Sequence, residues 1–453
     1  MGTQATEWPK QPNVLLILSD DLNTALSGFG HPDCKTPNLD RLAERGVRFG
    51  QMHCQFPFCG PSRASFMTGL YPVKSMVMDN KVNLRKANPD VLTMPQLFMQ
   101  QGYHAVRVSK VYHMEIPKEI MSGKTRHDDP ASWNQAFDIK SLELGSPGKN
   151  TNFSPKKKGS QQLRAIEAEG SDLSQVDGMA AEKAIEVMRA RKDEPFFLAV
   201  GMVRPHVPFV APKKYFDLYD PDAMHLPEVP ADDLDDLPMK IRRNDSTAVY
   251  GVTTEGHKEI LRAYYAAVSY MDAQVGRLMD ELDALNLTDN TIVVFTSDHG
   301  FHLGEHHKWQ KKHLFEETTR VPSIISVPWL RDAHGAQTEQ FTELVDLYPT
   351  LAELAGFDIP SVLQGTSLVP LLMNPDDPQW AKDAVLTFSV YDGASLRTKD
   401  WRFTQWGEGA ENMELYDLNK DPGEFSNQAM NPEYKTTVEK MKKRIADRIQ
   451  EVR

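Results

Sequence analysis

The sequence predicts an α/β fold: a large, mostly parallel sheet flanked by helices, with a small α+β unit containing an antiparallel sheet at the C-terminal end. Three observations predict it. Short, continuous apolar runs of strand length recur along the chain, helix-patterned or polar segments separate them, and charged or imidazole side chains follow the runs immediately.

Residues 13–18, Asn-Val-Leu-Leu-Ile-Leu, form an apolar run bounded by turn residues, as expected of a strand covered on both faces. It ends at Ser19-Asp20-Asp21. Comparable runs follow at 104–108, 195–200, 291–295 and 323–327. Residues 258–285 carry Leu261, Tyr264, Tyr265, Val268, Met271, Val275, Leu278 and Leu282 at the three-four spacing of one buried helical face, and 177–191 read as a second helix. Two stretches read as long surface loops: 144–178, with Ser-Pro-Gly-Lys-Asn and Ser-Pro-Lys-Lys-Lys-Gly-Ser, and 217–238, rich in carboxylates and proline. After Pro375-Asp376-Asp377-Pro378 the character changes. Residues 384–390 and 396–406 read as strands and 431–453 as a charged terminal helix. The expected division is therefore a main α/β domain over residues 1–377 and a small α+β subdomain over 378–453.

Composition narrows the function. The chain has 453 residues, with 51 Lys+Arg against 63 Asp+Glu and a formal net charge of −12. An acidic surface repels polyanions over about a Debye length, which argues against nucleic acid and requires any anionic ligand to be caught by a local cationic pocket. No apolar run approaches the roughly 20 residues that span a bilayer. The stretch Met1-Gly2-Thr3-Gln4-Ala5-Thr6-Glu7-Trp8 lacks the basic start and apolar stretch of a secretion signal. Three cysteines make no disulfide framework and leave at least one thiol over.

In doubly wound sheets ligands sit beyond the carboxyl ends of the strands. Asp20 and Asp21 follow the first run, Lys110 the second, Arg204 and His206 the third, Asp298 and His299 the fourth. Three carboxylates on one rim repel in a low-dielectric cleft unless a cation holds them, so Asp20, Asp21, Asp298 and His299 predict a divalent metal site. Their oxygens favour Ca²⁺ or Mg²⁺, whereas the imidazole is more at home with Zn²⁺ or Mn²⁺. The most specific string runs from Cys59-Gly60-Pro61-Ser62-Arg63 to Thr68-Gly69. Pro61 at an early helical position predicts that Cys59 sits just before a helix, where unpaired N–H groups favour an anionic nucleophile or an oxyanion. Arg63, about one turn on, adds a forked donor. Cys34 and Cys54 read as small buried hydrophobes, and the acidic stretch 232–236 as a solvated loop.

Cys-x-Pro-Ser-Arg followed by Thr-Gly resembles the signature of type I sulfatases, in which the cysteine is oxidised to formylglycine after synthesis. Asp20-Asp21, Ser109-Lys110-Val111-Tyr112-His113, Arg204-Pro205-His206-Val207-Pro208-Phe209, Ser297-Asp298-His299-Gly300, Leu303-Gly304-Glu305-His306 and Val345-Asp346-Leu347-Tyr348-Pro349-Thr350 look like the iduronate-2-sulfatase branch and its bacterial relatives. That branch shares His299, where many sulfatases have Asn. The resemblance implies an alkaline-phosphatase-like fold with a small C-terminal sheet subdomain. It implies a metal site of Asp20, Asp21, Asp298, His299 and the formylglycine made from Cys59, with Ca²⁺ placed ahead of Mg²⁺ and Mn²⁺. It further implies maturation by a formylglycine-generating or anaerobic sulfatase-maturating enzyme and a periplasmic, secreted or lysosomal-type compartment. The implied substrate is a sulfated carbohydrate, a uronate-containing polysaccharide or oligosaccharide of the glycosaminoglycan kind.

The resemblance also implies roles. One hydroxyl of the hydrated formylglycine, polarised by the metal and Arg63, attacks sulfur while Lys110 and Lys311 hold the equatorial oxygens. His206 protonates the leaving alcohol. His113 takes the proton of the second hydroxyl, so that the sulfated hemiacetal expels sulfate and the aldehyde re-forms. His302, His306, His307, Lys308, Lys312 and His313 make a local cationic cluster suited to a carboxylate or further sulfates on the substrate. Two other readings compete. A metal-dependent phosphomonoesterase or phosphodiesterase of the alkaline phosphatase superfamily would use Ser or Thr as nucleophile, and Cys59-x-Pro-Ser-Arg counts against it. An inactive metal- and glycan-binding relative would not need the full set of Cys59, Arg63, Lys110, His113, His206 and Lys311.

Overall fold

A computed structural model describes residues 8–158, 162–407 and 412–453. Residues 1–7, read above for a signal, and residues 159 and 160 of the lysine-rich tract lie outside the described residues.

The first apolar run becomes the strand Asn13–Asp20, buried along its whole length. Leu15 and Ile17 enter the core on one face of the sheet, Val14, Leu16 and Leu18 the core on the other. Burial on both faces explains why the run is continuous rather than alternating. This strand pairs in parallel with Phe196–Pro205 on one side and Thr291–Ser297 on the other. His104–Ser109 and then Gln135–Phe137 extend the sheet beyond Phe196–Pro205, again in parallel. Beyond Thr291–Ser297, the strand Arg320–Ser326 runs antiparallel to both its neighbours, Thr291–Ser297 and Val47–His53. Gln337–Thr338 and Thr342–Glu343 pair in parallel with Val47–His53. The sheet is thus mixed, with one reversed strand in an otherwise parallel order. The helices Val176–Arg191 and Thr254–Ala284 cover one face; Cys59–Thr68, Met94–Gln100 and Leu347–Leu354 cover the other.

Two sequence expectations change. Residues 144–178 are not one long loop: Gly148–Asn152 and Arg164–Ala168 pair antiparallel, and Arg164–Ala168 pairs in parallel with Phe209–Pro212. Gly148–Asn152 is largely exposed and the apolar patch beneath consists of Ile166, Ala168 and Val210, so no strand-sized apolar run marks these elements. Residues 396–406 are two strands, Gly393–Thr398 and Trp401–Trp406, that fold back on each other. With Ala384–Ser389 and Met413–Asp417 they form a four-stranded antiparallel sheet, against which the helix Lys435–Glu451 packs. That core also takes in Phe56, Tyr71 and Val345 from the main body. Cys34 and Cys54 are buried, free thiols whose burial pushes their ionisation upward. Among the described residues no helix is long and apolar enough to cross a membrane.

Glu414, on the strand Met413–Asp417, is buried and accepts hydrogen bonds from Trp406 Nε1 at 2.6 Å and the Tyr416 hydroxyl at 3.0 Å. Burial pushes its carboxyl from the ordinary 4.5 up to about 7. The folded protein therefore holds this proton more tightly than the unfolded chain, and ionisation weakens the fold by about 3 kcal/mol as pH rises from about 4.5 to about 7. In Glu414→Gln the Tyr416 hydroxyl can turn to accept from the amide. This variant is expected to gain melting temperature near pH 8 and not near pH 4.5, as thermal melts at the two pH values would show. An equal change at both would refute the assignment.

Candidate active site

Four adjacent strands, His104–Ser109, Phe196–Pro205, Asn13–Asp20 and Thr291–Ser297, end at one rim of the sheet. Asp20 closes its strand, and Asp21 follows with φ of 64°. Successive side chains of an extended strand point to opposite faces, so this left-handed step is what lets both carboxylates enter one site. Lys110 follows Ser109, and its backbone crosses Gly201 so closely that a Cβ there would come within 1.9 Å of the Lys110 carbonyl oxygen. Glycine alone admits that approach.

The helix Cys59–Thr68 is buried throughout, and Cys59 is its first residue rather than the residue before it. The Gly60 N–H donates to Asn80 Oδ1 at 2.7 Å, which secures the helix start. Around Cys59 Sγ lie His299 Nε2 and Lys311 Nζ at 3.4 Å each, Asp20 Oδ1 at 3.5 Å and Lys110 Nζ at 3.9 Å. Lys110 donates to Asp20 and Lys311 to Asp21. Burial and the neighbouring Asp20 push the thiol up, but the two ammonium groups outweigh them and hold it below its ordinary range.

Arg63 is wholly buried. Its Nε donates to Asp298 Oδ2 at 2.8 Å, its Nη1 to the carbonyls of Lys110 and Val111 at 2.7 and 3.0 Å, and its Nη2 to the Ser19 carbonyl at 3.2 Å. The guanidinium therefore ties the rim together and supplies charge; it does not present a free fork, because the strand-end carbonyls around it would otherwise be buried without donors. His299 Nδ1 faces the Gly300 carbonyl at 2.9 Å, which leaves Nε2 turned to Cys59 and 3.6 Å from both Asp21 and Asp298.

The ligand atoms of Asp20, Asp21, Cys59 and His299 lie within 4.8 Å of one another, with Asp298 alongside. Asp21 Oδ2 is buried and has no hydrogen-bond partner. Burial pushes the Asp21 carboxyl up to about 7, although Lys311 draws it down. A buried carboxylate oxygen without a donor, in an oxygen-rich set with one imidazole, fits a divalent cation.

Arg204, placed on this rim by the sequence, turns away from it. It pairs with Glu143 at 2.5 Å and donates to the carbonyls of His206 and Pro208 at 2.9 and 2.8 Å, so it shapes the loop that carries His206. His206 Nδ1 faces the Val207 carbonyl at 2.6 Å, leaving Nε2 3.8 Å from Asp21 Oδ2. Burial and Lys311 hold this imidazole well below its ordinary range. Burial and Lys110 push His113 down to about 3, and its Nδ1 has no partner.

The cluster at 302–313 does not form a substrate surface. His302, His306 and His313 are buried, and His306 stacks on Phe315 with its Nδ1 3.3 Å from Asp233. Lys308 donates to the carbonyls of Ile241, Arg242 and Asn244, and His307 Nε2 lies 2.9 Å from the Pro230 carbonyl. Asp233 is accordingly buried, which corrects the reading of 232–236 as wholly solvated. Lys312 alone of that cluster reaches the cleft above Cys59. This cleft, about 460 Å³, is bounded by Cys59, His113, His206 and Lys311 together with Asn80, Lys81 and His127. No strand end or motif marks those last three in the sequence.

Mixed sheet, antiparallel appendage and buried carboxylate–thiol–imidazole site together define an alkaline-phosphatase-like hydrolase. The Sulfatase family model matches residues 12–357, and the model for the C-terminal part of N-sulphoglucosamine sulphohydrolase matches residues 304–451. The chain belongs to the type I sulfatase family, whose activity is sulfuric ester hydrolysis. It is 32% identical over 455 residues to a sulfatase of Formosa agariphila, covering 95% of this chain and 86% of that protein. It is 33% identical over 484 residues to iduronate 2-sulfatase of Homo sapiens, covering 89% and 86% respectively. The phosphonate monoester hydrolase of Agrobacterium radiobacter superposes with a TM-score of 0.81 at 24% identity, over 97% of this chain and 96% of that one, a likeness of fold. These matches favour neither the phosphoesterase reading nor that of an inactive relative.

Proposed function

We propose that this protein hydrolyses sulfate monoesters on a uronate-containing oligosaccharide or polysaccharide, using a formylglycine made from Cys59, with residues 1–377 as the catalytic domain and 378–453 as its subdomain. The observation that carries this reading is the position of Cys59: the first residue of a buried helix, it shares one cluster with Asp20, Asp21 and His299 and has two lysines on its sulfur. Identity to iduronate 2-sulfatase supports the uronate.

Asp20, Asp21, Asp298, His299 and the oxidised Cys59 would hold one dication, Ca²⁺ being the ion that an oxygen-rich set favours, and such an ion would supply Lewis-acid polarisation of the bound oxygens. The aldehyde hydrate supplies two hydroxyls, one to attack and one whose proton is removed, which a serine or a thiol lacks. Lys110 and Lys311 neutralise the sulfate oxygens, and Arg63 keeps the rim in register beneath them. His113, held neutral, accepts a proton. A bound sulfate ester brings negative charge beside His206 and favours its protonated form, which then donates to the leaving sugar oxygen. By family we also propose a formylglycine-generating or anaerobic sulfatase-maturating enzyme as its partner in synthesis and a periplasmic, secreted or lysosomal-type location.

In protein produced with such a maturase, the peptide containing Cys59 is expected to weigh about 18 Da less than its thiol form by mass spectrometry. Sulfate release from aryl sulfate and sulfated oligosaccharides is expected to exceed phosphate release from an aryl phosphate. Faster phosphate release would overturn the reading.

A further inference from the structure

At the closed end of the cleft the cations are matched: Lys110 with Asp20, Lys311 with Asp21, Arg63 with Asp298. At the mouth they are not. Lys81 and Lys312 both line it, and neither forms an ion pair among the described residues. The Lys312 ammonium lies 5.4 Å from the centre of the Phe58 ring. The carboxylate whose charge acts on it most, Asp245, is already engaged by Lys157 at 3.5 Å. Among the described residues one carboxylate lines the cleft, Glu115, and it is paired with Lys118 at 3.5 Å.

His127 completes this rim. Its Nδ1 is shielded from solvent and has no hydrogen-bond partner, and its ring centre lies 5.6 Å from that of His113. The backbone that carries it is firmly held, because Asp128 pairs with Arg107 at 2.9 Å and Asp129 with Arg85 at 2.7 Å. The imidazole thus sits at the mouth on a well-anchored backbone, with its Nδ1 unpartnered among the described residues. Uncompensated cations facing one opening are unexpected as background in a protein of net charge −12. In a narrow cleft with low-dielectric walls, such groups attract and orient anions.

We propose that Lys81, Lys312 and His127 form a second anion subsite, so that the preferred substrate is a saccharide carrying another negative group, a carboxylate or a second sulfate, beside the ester that is cleaved. This rests on the sulfatase reading and adds the selection of substrate by charge. The scissile ester accounts for one negative charge, and the closed end is built for that one. A second charge held at the mouth would orient the sugar ring before sulfur meets the nucleophile, an effect read mainly in KM. A cationic ester would be repelled.

The test is a panel assayed for released sulfate with matured protein: choline sulfate, 4-nitrophenyl sulfate and galactose 6-sulfate against disulfated and uronate-bearing disaccharides from heparan sulfate, chondroitin sulfate and carrageenan. The highest kcat/KM is expected for a doubly anionic member. Lys81→Met, Lys312→Met and His127→Gln are each expected to lower that value at least tenfold, mainly through KM, with a smaller loss on the singly anionic members. Lys312→Arg is expected to restore most of the preference, and added salt to erode it. A best substrate that is singly anionic or cationic, or equal losses on both kinds, would overturn the subsite and leave the sulfatase reading standing. No sulfate release from any member would overturn both.

Discussion

Replacing Cys59 with alanine is expected to reduce sulfate release at least about 1,000-fold, a loss of about 4 kcal/mol in transition-state stabilisation. Alanine leaves no atom to oxidise and no hydroxyl to attack, while the helix it begins tolerates the smaller side chain. The remaining donors, Asp20, Asp21, Asp298 and His299, come from strand ends that do not depend on the thiol. Thermal stabilisation of the C59A protein by added Ca²⁺ is therefore expected to persist, since an ion that binds only the folded state raises its melting temperature. The two readouts separate chemistry from architecture. Turnover that survives in this variant would place the nucleophile elsewhere.

The second large effect concerns Arg63. Its guanidinium bonds Asp298 and the carbonyls of Ser19, Lys110 and Val111, and it lies 3.5 Å from Asp20, so it binds three strand ends to the helix that carries Cys59. Arg63→Met leaves two buried carboxylates short of a countercharge and three carbonyls short of a donor. A loss of about 3–5 kcal/mol in stability is expected from the unpaired charge alone, measurable by denaturant unfolding. Arg63→Lys keeps the charge but has no fork, so it should recover part of the stability without recovering turnover. If the R63M protein unfolds at the same denaturant concentration as its parent, the clamp does not exist.

Much of the site was legible because a buried parallel strand announces itself as an unbroken apolar run, and the residue after it is committed to the rim. Asp20, Lys110, His206 and Asp298 stand at or just beyond such strand ends, around Cys59 and its cleft. The same rule places Arg204 on the rim, but position after a strand does not say which way a long side chain turns, and Glu143 draws this one inward. The histidines and lysines of 302–313 read as one cationic surface because charge density is visible in sequence and burial is not. Phe315 and Asp233 take His306 out of the cleft, and three carbonyls take Lys308. Lys81 and His127 stand in loops without a motif, and their convergence with Lys312 depends on how those loops lie.

By itself the sequence determined the α/β class, the strand ends that meet around Cys59 and the string that carries the family resemblance, because each rests on local order: an apolar run, a turn, a string of five residues. Tertiary structure alone decided which charges meet. Lys311 pairs with Asp21 across 290 positions, and Cys59 lies against Asp20 across 39. A buried charge takes whichever partner packing brings within a few ångströms, and that choice is made by the assembled sheet rather than by any stretch of chain.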